Sequence, residues 1–204
     1  PPAFCTSLEG LVAPALRMRP LAVAPPGADR ATILALSDEA RLAGLTPGMP
    51  VRTAQRLCPD LIVLPPNPQL YARASGALHE ILRIYAPTIE PRGYGHAFLD
   101  LTGTGRLFGP PQDVAARIRR EASERLGLSV SVGIATNKLV SQAAIRAGRR
   151  TAGPSDSRTG NESLLYVPAG DERSFLAPNP LQVMPDLDAA TRIRLEDYQL
   201  ELIG

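Results

Sequence analysis

Apolar residues recur at helical spacing through the middle of the chain. Between Pro68 and Tyr85 they fall three and four positions apart, which predicts an amphipathic helix. The same spacing predicts helices over 110–128 and 136–148, and short apolar runs within 88–103 and 129–135 predict strands. With an opening strand at the start of the chain, this order predicts a βαββαβ sheet covered by helices on one face. We therefore expect an α+β fold.

An Ala/Pro-rich region over 11–66 predicts a small α/β unit ahead of that helix. A strand is expected over 31–37 because the stretch is apolar and turn residues bound it. Ser37 precedes two acidic residues and is a candidate N-cap for a short helix. A second short helix should end before Pro59, and the apolar run 61–64 should form another strand.

Cap and turn residues also divide the C-terminal half of the chain. Asp113 is a candidate N-cap of the helix over 110–128, and Gly127 is a candidate stop. A polar, Gly/Ser-rich stretch over 153–163 predicts a linker. The tail over 175–204 is typical of short helices.

Composition narrows the class of protein only modestly. A hydrophobic fraction of 44% with 21% charged residues is ordinary for a globular protein, and no apolar run approaches the ~18 residues that a membrane span needs. The net charge of +2 does not by itself indicate a nucleic-acid binder. Cys5 and Cys58 are far apart and match no metal-binding spacing, which favours reduced thiols in a cytoplasmic protein.

Four stretches, in the same order, resemble the Y-family translesion DNA polymerases, the bacterial UmuC/DinB-like group. ALSDEARLAGLTPGMPVRTAQRLCPDLIVLPPN resembles the fingers, AFLDLTGTGRLFG and LSVSVGIATNKLVSQAA resemble the palm, and FLAPNPLQVMPDLD resembles the start of the thumb. The resemblance implies a ferredoxin-like βαββαβ palm over 1–12 and 67–158, with small α/β fingers inserted over 13–66. It implies a linker and partial helical thumb, with a degenerate helix-hairpin-helix, over 159–204.

The chain departs from that family where the family holds its metals. Family members read Ser-Ile-Asp-Glu-Ala-Phe-Leu-Asp where this chain reads GYGHAFLD, so Gly95 and His96 replace two carboxylates. Pro2 stands where an aspartate of the first strand belongs. Family members use magnesium, which prefers hard oxygen ligands that glycine and imidazole do not supply. Asp100 and Glu90 do not replace the adjacent pair, so we expect no catalytic residues, no metal site and no cofactor.

The resemblance also identifies positions of a former nucleotide site. Cys5 stands at the bulky position that screens the sugar 2′-hydroxyl, and Asp38 replaces a tyrosine beside the triphosphate. Arg41 matches an arginine that contacts phosphate, and Arg149 matches a basic position at the end of the third palm helix. The alternative for Arg41 is an ion network with Asp38 and Glu39 on a helix surface.

Three arginines near the end of that same helix are candidates for DNA phosphate contacts: Arg146, Arg149 and Arg150. The alternative is structural, because cations near a helix C-terminus are stabilised by the helix dipole. The predicted hairpin turn of the thumb, MPDLDAAT, has two acids and no glycine, so we expect weak DNA binding there.

The missing carboxylates favour the ImuB type of Y-family homologue, a catalytically inactive adaptor that is not an enzyme. The resemblance implies a role in bacterial damage-induced mutagenesis, the SOS response and DNA repair. Its expected partners are the replication sliding clamp, a RecA-like accessory protein and a C-family error-prone polymerase, with weak binding to DNA. The alternative is an active error-prone translesion polymerase with a rearranged metal site. A third interpretation is a nucleotide sensor that retains Arg41 and Arg149.

Overall fold

A computed structural model describes residues 3–27, 31–151, 164–185 and 187–204. The chain divides into two compact units, each built from two segments. The first unit comprises Pro1–Asp100 with Ala122–Leu128, and the second comprises Leu101–Glu121 with Ser129–Gly204. No helix in the described part of the chain is both long enough and apolar enough to cross a membrane.

The first unit begins with a helix and a three-stranded sheet. Strand β1, Leu21–Val23, is the middle strand. It pairs antiparallel with β2, Ala35–Leu36, and parallel with β3, Ile62–Leu64. Ala22 of β1 and Leu36 of β2 are fully buried with Ala40 and Ala54 from the two short helices. The elements are α1 Phe4–Val12, β1 Leu21–Val23, β2 Ala35–Leu36, α2 Asp38–Leu42, α3 Val51–Leu57 and β3 Ile62–Leu64.

Ser37 joins this sheet to the helix that follows it. Its hydroxyl oxygen accepts from the Ala40 backbone N–H (3.3 Å) and from the Leu21 backbone N–H (3.0 Å). The hydroxyl also donates to the Arg19 carbonyl (3.2 Å). The predicted cap is therefore confirmed, and it also holds the beginning of β1.

A long helix and a β-hairpin complete the first unit. Helix α4, Pro68–Tyr85, is capped by the side chain of Asn67 and buries the apolar face that its spacing predicted. Strands β4, Thr88–Pro91, and β5, Ala97–Asp100, pair antiparallel, with Thr88 opposite Asp100 and Pro91 opposite Ala97. The turn between them contains the GYGH stretch.

Helix α6, Pro111–Leu126, contributes to both units, and the remaining elements belong to the second. Strand β6, Val132–Ile134, pairs parallel with β7, Leu164–Tyr166, and helix α7, Lys138–Thr151, packs against both strands. Three-residue 3₁₀ turns cover Pro14–Leu16 in the first unit and Leu181–Val183 in the second. The other elements of the second unit are α5 Gly105–Phe108, β6 Val132–Ile134, α7 Lys138–Thr151, β7 Leu164–Tyr166, α8 Glu172–Leu176 and α9 Ala189–Asp197.

The ends of α6 agree with the sequence at one terminus only. The helix stops before Gly127, which has a φ of 62°, and the Leu128 N–H donates to the Ala122 carbonyl as in a glycine-terminated helix. At the other end the helix begins at Pro111, so Asp113 lies inside the first turn and is not the N-cap. Proline suits a first helical position because its fixed φ is already helical.

The predicted α+β class is confirmed, and so is the order helix, strand, strand, helix, strand, to which the structure adds the short helix α5 after the second strand. In the described residues the strands pair as three small sheets, β2-β1-β3, β4-β5 and β6-β7. The predicted opening strand and the linker over 153–163 lie outside those residues. Strands β1 and β7 were not predicted, and the palm, fingers and thumb ranges stay predictions.

Candidate functional site

The hairpin turn of the first unit is fixed at Gly95 by contacts from two helices. Gly95 is buried and has a φ of 64°, a left-handed conformation that glycine adopts without strain. Its N–H donates to the Ser75 hydroxyl of α4 (3.1 Å). On its other side lies the ring of Phe4 from α1, which is only 2% exposed.

The Phe4 ring fills the space that a side chain at residue 95 would need. A Cβ built on Gly95 would lie 2.3 Å from Phe4 Cδ2, 2.5 Å from Cγ and 2.7 Å from Cε2. Gly93, in the same turn, also has a positive φ (81°), but a Cβ there would meet nothing within 4 Å. The turn therefore tolerates a side chain at residue 93 far better than at residue 95.

Tyr71 packs in one buried cluster with Phe4, Leu8 and Leu128, and its hydroxyl pairs with a carboxylate. The Tyr71 hydroxyl of α4 donates to Glu9 Oε1 of α1 (2.8 Å), and its ring makes an edge contact with Tyr94 (ring centroids 5.7 Å apart, interplanar angle 67°). Burial, and then the hydrogen bond to Glu9, raise the pKa of Tyr71 well above its usual value of 10. This hydrogen bond links α1 to α4 beside the turn.

Cys5 packs against the edge of this cluster and is half-buried. Burial, and then the negative charge of Glu9, raise the pKa of the Cys5 thiol. The thiol is therefore held in its neutral form, and both cysteines of the chain are free. Cys5 and Gly95, which the sequence singled out separately, thus contact one cluster built around Phe4.

The exposed face of the hairpin carries alternating polar and aromatic side chains. Arg92 Nε lies 3.6 Å from Glu90 Oε1, and the Arg92 guanidinium carbon lies 6.0 Å from the centre of the Phe98 ring. His96 stacks obliquely on Phe98, with ring centroids 5.3 Å apart. Glu90 is therefore engaged by a cation, while Asp100 lies at the far end of β5.

The described residues do not fit a two-magnesium site. Among them there is no group of three His, Cys, Asp or Glu side chains arranged to hold a metal ion. Gly95 offers no side chain, His96 offers a nitrogen ligand, and magnesium prefers oxygen. Pro2, the third position at which a family carboxylate is missing, lies outside the described residues.

Arg41 and Asp38, which the sequence predicted at a nucleotide site, lie together on α2. Arg41 Nε is 4.0 Å from Asp38 Oδ1, and the side chains are 31% and 69% exposed. Burial lowers the pKa of Arg41, and the charge of Asp38 opposes that shift. The guanidinium stays charged at neutral pH, because arginine begins from a value above ~12.

Arg146 connects α7 to the segment that precedes α9 in the second unit. Its Nη1 donates to the Met184 carbonyl (2.5 Å), and the side chain is otherwise exposed. Arg149 and Arg150 belong to the same helix, but their side chains lie outside the described residues.

In the predicted thumb turn, Asp188 caps α9. Its carboxylate accepts from the Thr191 hydroxyl (2.7 Å) and from the Thr191 N–H (2.8 Å). The other acid of that turn, Asp186, is outside the described residues.

A sequence profile of the impB/mucB/samB family matches residues 2–146. The chain belongs to this family. It is the Y-family polymerase group that the four motifs resemble, and the predicted family is therefore confirmed. The match does not distinguish the ImuB type within the family.

Curated relatives extend the similarity to almost the whole chain. The chain is 35% identical to a DNA polymerase IV of Dehalococcoides mccartyi strain CBDB1, over 99% of this chain and 49% of the relative. It is 37% identical to a DNA polymerase IV of Desulfatibacillum aliphaticivorans, over 95% of this chain and 46% of the relative. The chain spans about half the length of the curated relatives it matches.

Solved structures of Y-family polymerases share the fold. The crystal structure of DinB from Sulfolobus solfataricus superposes on this chain with a TM-score of 0.83 at 22% identity. The match covers 98% of this chain and 55% of DinB. An insertion ternary complex of Dbh DNA polymerase superposes with a TM-score of 0.80 at 22% identity, over 98% of this chain and 56% of Dbh.

These relatives correct one prediction from the sequence. The missing carboxylates at Gly95 and His96 favoured a pseudoenzyme that acts only as an adaptor, and that prediction is wrong. It gave more weight to the carboxylates missing at a few positions than to the similarity of the rest of the chain. Relatives named DNA polymerase IV, at about 35% identity over 99% of the chain, contradict it.

Proposed function

We propose that the protein containing this chain is an error-prone translesion DNA polymerase of the Y family, which extends a primer on a DNA template during repair. The observation that carries the proposal is the identity to relatives named DNA polymerase IV, 35% over 99% of the chain in the Dehalococcoides protein. The fold shared with Dbh supports it. Because the chain spans about half of such relatives, the activity is proposed for the whole protein.

Arg41 is the residue of this chain that we assign to the incoming nucleotide. The guanidinium is charged, 31% exposed and held near Asp38, so it can bind a phosphate while the carboxylate limits its freedom to turn away. Its partial burial strengthens an ionic contact, because charges near low-dielectric surroundings interact more strongly than in water. Asp38 weakens the net attraction for phosphate.

Arg146 is the residue that we assign to the DNA backbone. The guanidinium has five N–H donors, and the bond to Met184 uses one of them. A second bond to a phosphate would hold DNA against α7. No step of the reaction is derived through magnesium, since the described residues do not fit the metal pair.

Primer–template DNA is the partner that the proposal requires, and the cytoplasm is the location that it implies. The sliding clamp is a further proposed partner. The RecA-like accessory protein and the C-family polymerase rest on the ImuB resemblance alone and stay predictions.

Primer extension by the complete protein tests the proposal. With a primed DNA template, all four dNTPs and Mg²⁺ or Mn²⁺, we expect templated addition of at least one nucleotide. Failure to extend the primer with either metal, by protein that is folded and binds the DNA, would overturn the proposal.

Two matched variants test the assignment of Arg41. Arg41→Ala should raise the KM for dNTP about tenfold or more, because the loss of one charge-assisted hydrogen bond is worth ~1.5–3 kcal/mol. Arg56→Ala changes an exposed arginine on the neighbouring helix α3 and should leave the KM unchanged. Equal effects of the two substitutions would remove Arg41 from the nucleotide site.

A further inference from the structure

We infer that the Phe4 ring leaves no space for a metal-binding side chain at residue 95, so that the turn 92–96 does not hold divalent cations. This goes beyond the proposed function and rests on it in one respect: any metal used in the proposed polymerisation is held by other residues of the protein. The inference itself concerns the fit between Phe4 and Gly95.

A side chain at residue 95 would clash with the Phe4 ring. All three of the nearest atoms to a Cβ on Gly95 belong to the Phe4 ring, at 2.3 to 2.7 Å. Carbon atoms in non-bonded contact prefer separations of roughly 3.5–4.0 Å, so a side chain here requires the ring to move by more than 1 Å. The glycine is therefore matched to the phenylalanine, and the pair behaves as one unit of packing.

The Phe4 ring has little room to move. Phe4 is 2% exposed and packs with three other buried residues, Leu8, Tyr71 and Leu128. On the other side, the hydrogen bond from the Gly95 N–H to buried Ser75 keeps the turn from shifting away from the ring. Close-packed interiors resist added volume, and extra methylene groups in them cost stability.

Two carboxylates of the first unit, Glu9 and Glu90, already have partners. Glu9 accepts a hydrogen bond from Tyr71, and Glu90 lies 3.6 Å from Arg92. A cation at the turn would have to compete for both. His96 would supply a nitrogen ligand, which suits zinc or copper better than magnesium.

Two substitutions in one turn separate the steric effect from backbone strain. Gly95→Ala and Gly93→Ala each place a β-carbon at a residue of positive φ, but only residue 95 faces the Phe4 ring. We expect the melting temperature to fall by about 3 °C for Gly93→Ala and by at least about 6 °C for Gly95→Ala. Equal losses would overturn the steric part of the inference.

Coupling between the two residues is measured with Phe4→Leu. The smaller, flexible side chain makes room at residue 95, so Gly95→Ala should cost less in the Phe4→Leu background than in the wild type. The Gly93→Ala loss should be the same in both backgrounds. Additive losses at residue 95 would contradict the inference.

Manganese binding, followed by electron paramagnetic resonance of free Mn²⁺, tests the metal part without any turnover. The full chain should bind Mn²⁺ no more tightly than its His96→Ala variant. The double variant Gly95→Asp, His96→Glu restores the two carboxylates. Its gain in affinity for Mn²⁺ should be at least tenfold larger when Phe4 is also replaced by Ala.

Weaker Mn²⁺ binding after His96→Ala alone would overturn the inference and would place a cation at the turn. Strong binding by the rebuilt pair with Phe4 still present would overturn it too. Neither readout uses primer extension, so failure of this inference and failure of the proposed polymerase activity are distinguishable.

Discussion

Tyr71 donates a hydrogen bond of 2.8 Å to the carboxylate of Glu9, and this bond joins helices α1 and α4 next to the hairpin turn. The tyrosine is 3% exposed, so its hydroxyl has almost no access to water as an alternative partner. Tyr71 also packs in one buried cluster with Phe4, whose ring lies against Gly95. We therefore expect this hydrogen bond to contribute to the free energy of unfolding at neutral pH and that contribution to fall at alkaline pH.

Tyr71→Phe should lower the free energy of unfolding by about 1.5–3 kcal/mol, because it removes a hydrogen bond to a charged group and leaves the half-buried Glu9 carboxylate with one partner fewer. Urea unfolding followed by circular dichroism measures the change. Tyr198→Phe is the control, since Tyr198 is 78% exposed. A loss as small as the control's would show that water replaces the bond.

The same tyrosine should make stability fall at alkaline pH. Its folded-state pKa is raised above the usual value of 10, so the folded protein keeps a proton that the unfolded chain loses. The contribution is complete below pH 10, and it declines by about 1.4 kcal/mol for each pH unit above it. Urea midpoints from pH 8 to 11 measure the decline, which should be shallower in Tyr71→Phe.

Ser37→Ala should cost about 2–4 kcal/mol of unfolding free energy. It removes the cap of α2 and also leaves the buried Leu21 N–H without the hydroxyl that accepts its hydrogen bond. Asn67→Ala removes the exposed cap of α4 and should cost only about 1 kcal/mol. Chemical denaturation of both variants tests this ranking, and equal costs would contradict it.

Cys5→Phe should sharpen discrimination against ribonucleotides if the protein polymerises DNA as proposed. The family resemblance gives this position to a bulky residue that screens the sugar 2′-hydroxyl, and the thiol is much smaller. The ratio of kcat/KM for dNTP over rNTP should rise at least tenfold. Cys5→Ser keeps the size and should leave the ratio unchanged, and an unchanged ratio in Cys5→Phe would exclude residue 5 from sugar selection.

Arg146→Ala should weaken binding to primer–template DNA at all sequences and reduce the slope of log affinity against log salt by about one. Fluorescence anisotropy between 50 and 200 mM salt measures both. Arg194→Ala on α9 is a matched loss of charge elsewhere in the same unit. If the two variants bind DNA alike while only Arg146→Ala melts earlier, the arginine serves the bond to Met184 and not DNA.

Local signals explain what the sequence predicted well. The apolar spacing of α4, the hydroxyl of Ser37 and the glycine after Leu126 each act within a few residues, so their effects can be read from neighbouring positions. The prediction of Asp113 as an N-cap was wrong because aspartate favours both the cap and the first turn of a helix.

Long-range contacts explain what was missed. Strand β7 is three residues long, and it is defined by pairing with β6, far earlier in the chain. The closeness of Phe4 to Gly95 joins α1 to a turn beyond α4 and leaves no local pattern. The motif showed that residue 95 is glycine, but it did not show that the Phe4 ring occupies the space a side chain would need there.

The parallel pairing of β6 with β7 also determines where the protein can be cut for expression. Val167 and Val183, which follow β7, are almost completely buried against the alanine-rich face of α7. A recombinant fragment that stopped at residue 151 would expose that face together with an open strand edge, and both promote aggregation. A soluble fragment of the second unit should therefore retain Leu164–Tyr166 and the residues up to Val183.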